Sequence, residues 1–289
     1  MRRAISRLKP LWLLPVLLGV TLGVLGVLGA VPDFVRSVPS MVLLVVIALG
    51  ALLSGVHPKA DEHEPHVMAS PVRGRWAALN TPGQQLPSHG SRFLGQYAAV
   101  DILQPATAAT PAKVRKAWRG SRPQEYPSFG APVYAMAPGV VTRTWSRSRD
   151  HRARNTWQAL LYMMTLEGAL RTLGGQRAII GNHVIVHHDD GTAAVYAHLR
   201  TGSVVVGVGQ RVDAGDPLGE VGNTGNTSEP HLHVHLMDRP NPNAAAGLKM
   251  TWANIARPGE IEPSLAEIAK EPAENAVLSM PRNGEIFEA

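Results

Sequence analysis

Residues 229–238 read Glu-Pro-His-Leu-His-Val-His-Leu-Met-Asp, with histidine at positions 231, 233 and 235. In a β-strand, residues i, i+2 and i+4 face the same side, so the three imidazoles project together while Leu232, Val234 and Leu236 point into an opposite, apolar layer. Same-face neighbours on a strand lie about 7 Å apart, close enough for one ring to bind a metal while the next reaches a bound water or substrate. A metal site, a proton relay and a histidine-rich structural strand all fit this pattern. The rest of the chain decides among them.

Short β-branched runs cut by Gly, Pro and Asn surround it: 132–141, 183–188, 193–198, 203–208 and 217–221. This pattern predicts a mainly β domain built on an antiparallel, sandwich-like sheet. One segment departs from it. Between Asn155, a candidate N-cap, and Gly174-Gly175, the run places Trp157, Leu160, Leu161 and Met164 on one helical face, which predicts a helix inserted in the β domain and packed on the sheet. Just before it, Arg143, Arg147, Arg149, Arg152 and Arg154 crowd a 12-residue window, read as a solvated loop or a contact with anionic lipid or wall polymer.

The 289 residues contain no cysteine, which excludes disulfides and thiolate metal sites and leaves His, Asp and Glu as ligands. The formal charge of +6 suits an anionic surface. Nucleic acid is not expected as a partner, because no stacking aromatics interleave with the basic residues. Residues 11–31 are uncharged and apolar for about 30 Å of helix, enough for a bilayer core, and a second run over about 39–56 is shorter. The first is too long for a signal-peptide core and lacks an A-x-A site. The expected organisation is therefore a membrane anchor at 1–57 and a polar linker at 58–80, with solvated His57, His63 and His66. The β domain then spans 81–245 with its helical insertion at about 146–178, and a C-terminal extension covers 246–289, its tail from Ala266 onward acidic and peripheral. Arg2, Arg3, Arg7 and Lys9 favour an internal N-terminus, and two full spans would then return the domain to the cytoplasm. The shorter second run is the weaker element, and an extracytoplasmic domain is expected.

Gly222-Asn-Thr-Gly-Asn-Thr-Ser-Glu-Pro-His-Leu-His-Val-His-Leu236 resembles the last motif of the lysostaphin-type (LytM-like) zinc metalloendopeptidases, which are peptidoglycan hydrolases. Tyr196-Ala-His-Leu199 and the turn after it look like that family's Y-A-H-L strand, and 129–141 resembles its first hairpin. The resemblance runs from about His89 to Leu236 and leaves out the apolar runs, the helix and the tail. It implies that His233 and Asp101 are zinc ligands and that His198 and His231 are catalytic histidines. The family usually carries H-x-x-x-D, yet Tyr97 stands four residues before Asp101, and a neutral phenol is a poor zinc ligand. His89 is the first choice for the missing ligand, with His235 and His183 as rivals; His187 and His188 read as structural.

Two imidazoles and a carboxylate leave a fourth zinc position for water, the pattern of a catalytic site. Zinc lowers the pKa of such a water from 15.7 to about 7 and polarises a carbonyl. One of His198 and His231 would then move the water proton to the leaving amine while the other bonds the developing oxyanion. The resemblance thus implies a membrane-anchored zinc endopeptidase acting on peptidoglycan stems or cross-bridges, with membrane lipid as a second partner. A degenerate domain of the same fold that binds wall or regulates an amidase is the alternative. A cupin-type β-barrel would also use H-x-H, but it leaves Y-A-H-L unexplained.

Overall fold

Leu232, Val234 and Leu236 are completely buried in the main core, among Val184, Val186, Tyr196 and Ile102. Burial of each such side chain is worth roughly 1.5–3 kcal/mol, which fixes the strand's register and sends the alternate histidines to the other face. The computed structural model describes residues 1–31 and 40–289 and divides into two units, Met1–Pro58 and Lys59–Ala289.

In the first unit, α1 (Arg2–Arg7) precedes α2 (Lys9–Val27), and α3 (Ser40–Ser54) follows. By length and composition α2 is long and apolar enough to cross a membrane, whereas α3 is shorter. Within this unit Gly19 abuts Ile47 and Gly50 abuts Pro15, so small residues let α2 and α3 approach closely, while Gly23 meets no neighbour among the described residues. Residues 32–39, including the expected start of the second run, lie outside the described residues.

The second unit carries β1 (His66–Met68), β2 (Arg75–Leu79), β3 (Val100–Leu103), β4 (Pro132–Tyr134), β5 (Gly139–Trp145), β6 (Asn182–His188), β7 (Ala193–Leu199), β8 (Arg211–Val212), β9 (Pro217–Glu220), β10 (Leu232–Met237), β11 (Gly247–Leu248), β12 (Met250–Trp252) and β13 (Ile286–Glu288). Nine strands form one sheet in the order β13-β2-β3-β10-β7-β6-β5-β8, with β11 also paired to β10. Its pairings are antiparallel. The two-stranded β4–β9 sheet packs on the main face through Val133 and Leu218, and β1–β12 is a parallel pair. The fold is thus mainly antiparallel β.

Several segments differ from expectation. The stretch 58–80, read as a linker, holds β1 and β2; Trp76 is buried in the core, and His63 and His66 are half-buried. The tail read as peripheral supplies β13, whose Phe287 is fully buried. Residues 203–208 form no strand. Val205 makes one bond to the Leu218 carbonyl (3.1 Å), but Val205 and Val208 are exposed, so no ladder forms between the flanking glycines.

The insertion runs through α4 (Trp157–Tyr162), a π-helical turn (Met163–Glu167) and α5 (Gly168–Leu173), followed by α6 (Gln176–Ile180). Thr156, not Asn155, is the N-cap, its Oγ1 accepting from the Ala159 N–H. Asn155 is buried instead, and its amide joins Ser121 and Ala112 (2.9 and 3.2 Å). The face expected to pack on the sheet does not do so, for Trp157, Leu161 and Met164 are 61, 56 and 78% exposed.

Candidate metal centre and active site

The register of β3 and β10 pairs Asp101 with His233, and Asp101 Oδ1 lies 2.8 Å from His233 Nδ1. His89 comes from the loop before β3. Ser88 N–H donates to the Tyr97 carbonyl (3.0 Å), folding that loop back so that His89 Nε2 stands 3.1 Å from Asp101 Oδ2. Tyr97 itself lies beneath the Arg92 guanidinium, 3.7 Å from ring centroid to carbon, and packs against the main core. One donor atom each from His89, Asp101 and His233 lies within 4.8 Å of the others, the one such group among the described residues.

The proton positions follow from the partners. The Leu94 carbonyl can only accept, so His235 Nε2 carries the proton in their 3.1 Å bond. In the neutral ring His235 Nδ1 is then an acceptor, and it takes the N–H of His233 Nε2 at 3.0 Å. This leaves His233 Nδ1 as a lone pair aimed at a carboxylate oxygen. Two acceptors facing each other at 2.8 Å are repulsive unless a cation stands with them. The N/O donor set fits a hard-to-borderline divalent ion such as zinc. His235, considered as a ligand, is buried behind His233 and orients it, and His183 lies elsewhere, its Nδ1–H donating to the Gly181 carbonyl (2.8 Å).

His198 and His231 stand beside this group, with ring centroids 5.0 Å apart, and His198 is 5.6 Å from the His233 ring. Each donates Nδ1–H to a backbone carbonyl: His198 to Thr224 (2.7 Å), His231 to Glu229 (2.8 Å). Both Nε2 atoms are therefore available as acceptors, and that of His231 lies 3.6 Å from Asp101 Oδ1. His198 holds a left-handed backbone (φ 62°), a strain that functional sites sustain when the surroundings fix it. The surroundings here are the 222–227 turn. Gly225 (φ 82°) lies against the backbone of Ile179 and Gly181 where a side chain has no room, and this close approach sets the Thr224 carbonyl over His198.

Burial is the largest influence on Asp101 and favours the neutral acid. The positive field of the histidines around it, His89 and His231 first, outweighs burial and holds the carboxyl well below its usual range. For His198, burial first and then the like charges of His231 and His233 push the imidazole well below its ordinary value. His235 is pushed down in the same way by burial and by His233, and burial lowers His233 against the pull of Asp101. Burial thus favours the neutral form of His198, His233 and His235, the form that ligates and accepts protons.

The group opens on a cleft of about 450 Å³, whose opposite wall is the insertion, through Met163, Gly168 and Thr172. Sequence reasoning missed that wall. It also missed Asn80, whose Nδ2–H donates to Asp101 Oδ2 (2.8 Å), and the Leu94 carbonyl that sets the ring tautomers. Neither carries a sequence signal, because Asn80 lies in a turn beyond any motif and a carbonyl has no residue identity.

Comparison with known proteins agrees with this geometry. Residues 165–244 match the model of peptidase family M23, a span that includes His198, His231 and His233. Over 139 residues the chain is 38% identical to the cell division protein DipM of Caulobacter vibrioides, and 32% identical to the peptidoglycan DD-endopeptidase ShyA of Vibrio cholerae. These alignments cover 48% of this chain and 22 and 25% of the relatives. The DD-carboxypeptidase/endopeptidase Mpg of Neisseria meningitidis is 39% identical over 121 residues, 42% of this chain and 26% of its own. The chain thus spans about a quarter of the length of these relatives. The lysostaphin-type resemblance and the family match meet on the same strands: the chain contains a peptidase family M23 domain.

Proposed function

We propose that the protein is a membrane-anchored zinc metalloendopeptidase that hydrolyses peptide bonds in peptidoglycan stems or cross-bridges. The observation that carries this reading is the lone pair of His233 Nδ1 facing Asp101, with His89 completing the donor set. His89 Nε2, one Asp101 oxygen and His233 Nδ1 would hold the metal. Zinc bound there supplies a Lewis acid worth several kcal/mol of transition-state charge stabilisation. His198 and His231, each fixed by its carbonyl, present Nε2 to the cleft: one accepts the proton of the attacking water and passes it to the leaving amine. The other, carrying at Nε2 a proton taken up from solvent in the cleft, would donate it to the developing oxyanion. Asn80 holds the Asp101 carboxylate in place.

His89 occupies the place that the absent H-x-x-x-D histidine leaves open, which favours catalysis over a degenerate wall-binding domain. The names of the ShyA and Mpg relatives point to D,D cross-links as the first substrates to test. Full-length chain purified in detergent is expected to hold one zinc and to cleave cross-linked muropeptides, while Asp101→Ala loses both. Stoichiometric zinc with no cleavage of any cross-link type would refute the enzyme. The anchor would be α2, with the second unit outside the cytoplasm. A reporter fused after Pro71 that works only in the cytoplasm would refute that placement.

A further inference from the structure

The insertion helix has its polarity inverted. Its two charged residues, Glu167 and Arg171, are turned toward the protein, where Glu167 is 7% exposed and bonds both Arg154 (2.5 and 3.0 Å) and Arg171 (2.7 and 3.1 Å). Its outer surface is apolar, with Trp157, Leu161, Tyr162, Met164, Leu166 and Leu170 between 47 and 78% exposed. A helix that faces water does the opposite.

A second exposed element lies beside it. The loop 112–121 is clamped to the chain that leads into the helix: Arg115 N–H donates to the Asn155 carbonyl (2.7 Å) and Ala153 N–H to the Ser121 carbonyl (2.9 Å). This loop exposes Trp118 at 88% and Val114 at 59%. Its charges are all positive, namely Lys113, Arg115, Lys116 and Arg119.

Exposed tryptophan, tyrosine and aliphatic side chains rimmed by lysine and arginine match the headgroup region of a bilayer, where rings sit at the boundary and cations meet anionic lipid. We propose that loop 112–121 and the outer side of the insertion helix form one face that rests in an anionic lipid leaflet. The inner side of the same helix walls the catalytic cleft. Lipid contact therefore holds the cleft open at the membrane surface, where peptides close to that surface reach it first. The all-positive loop beside an apolar helix side fits an anionic lipid leaflet, which offers negative headgroups and an apolar interior over one continuous surface.

The natural chain has no cysteine, so single labels are clean. Nitroxides at Trp118→Cys, Leu161→Cys and, as a control on another exposed surface, Leu278→Cys are introduced in the full chain. Each variant is reconstituted at high lipid excess in vesicles of phosphatidylcholine with one-quarter phosphatidylglycerol. Collision with oxygen relative to a water-soluble nickel chelate is expected to be severalfold higher at 118 and 161 than at 278. The combined Lys113→Glu, Lys116→Glu, Arg119→Glu variant is expected to lower the ratio at 161 while zinc content is retained. Equal, water-like ratios at all three positions overturn the proposal. So does shielding from both quenchers at 118 and 161, which marks a protein partner or a second copy, and so does an unchanged ratio at 161 in the charge-reversed chain.

Discussion

The histidine strands and the insertion helix break the ordinary rule of burial in opposite directions. On β3, β7 and β10 and at the residue just before β10, a carboxylate and four imidazoles, His198, His231, His233 and His235, are each 9% exposed or less. Along the insertion, most of the large apolar side chains stand in the open. Buried polar groups cost free energy unless they are paired, and exposed apolar patches are rare on soluble domains. Each departure motivates one of the two proposals made above, a cation in one case and a lipid surface in the other.

The largest expected effect breaks the first half of that contrast. His198→Ala and His231→Ala should each lower the turnover of a cross-linked muropeptide by about 10² to 10⁴, the range for general acid–base groups, while zinc measured by atomic absorption stays stoichiometric. Loss of metal in either variant would move that histidine from proton transfer to ligation.

A smaller effect concerns a buried histidine outside the centre. His188 Nδ1–H donates to Thr192 Oγ1 (2.9 Å), which in turn donates to Asp190 (2.7 Å), and His188 Nε2 is buried without a partner among the described residues. Burial is the main reason its pKa is lowered to about 4 from 6.5. The unfolded chain takes the proton first, so this contribution is whole above pH 6.5 and is lost as pH falls from 6.5 toward 4. At about 1.4 kcal/mol per pKa unit the loss is at most about 3 kcal/mol. Urea midpoints of the full chain in detergent should fall across that window, and His188→Asn should flatten the fall.

Asn80→Ala tests whether the support of Asp101 matters as much as the ligands. Zinc affinity in a competition titration should weaken by about 10- to 100-fold, the usual cost of removing a residue that holds a ligand. The smallest effect sharpens the second half of the contrast. Leu161→Gln should change the unfolding free energy in detergent by less than about 0.5 kcal/mol, because the side chain leaves little packing behind. A large destabilisation would mean that the outer helix face is core after all.

The centre was legible because its residues sit on strands with period-two alternation, and because glycine, proline and histidine in the 222–236 segment have backbone and ligand meanings that survive in a single sequence. His89 was harder to read. A candidate ligand delivered by a loop is placed by a backbone bond between Ser88 and Tyr97, and spacing alone does not encode that bond. The insertion misled for a related reason. Its helical period was readable, but periodicity shows which residues share a face and not whether the face meets a sheet or the outside. The edge strands at 66–79 and 286–288 hid among polar and proline-rich neighbours, where three- and five-residue strands leave too short a pattern to detect.

The pairing of β13 with β2 has a consequence for how the protein is made. Arg75 and Glu288 are 213 residues apart in sequence, and Asp101 and His233 are 132 apart. Contacts this distant close slowly, and an open strand edge is prone to pair with the wrong chain. During synthesis β2 therefore waits, unpaired on one side, until residues 286–288 have left the ribosome. Strand β13 acts as the closing stitch of the sheet, and removing it would send a nascent protein with an exposed sheet edge into the hands of chaperones and proteases.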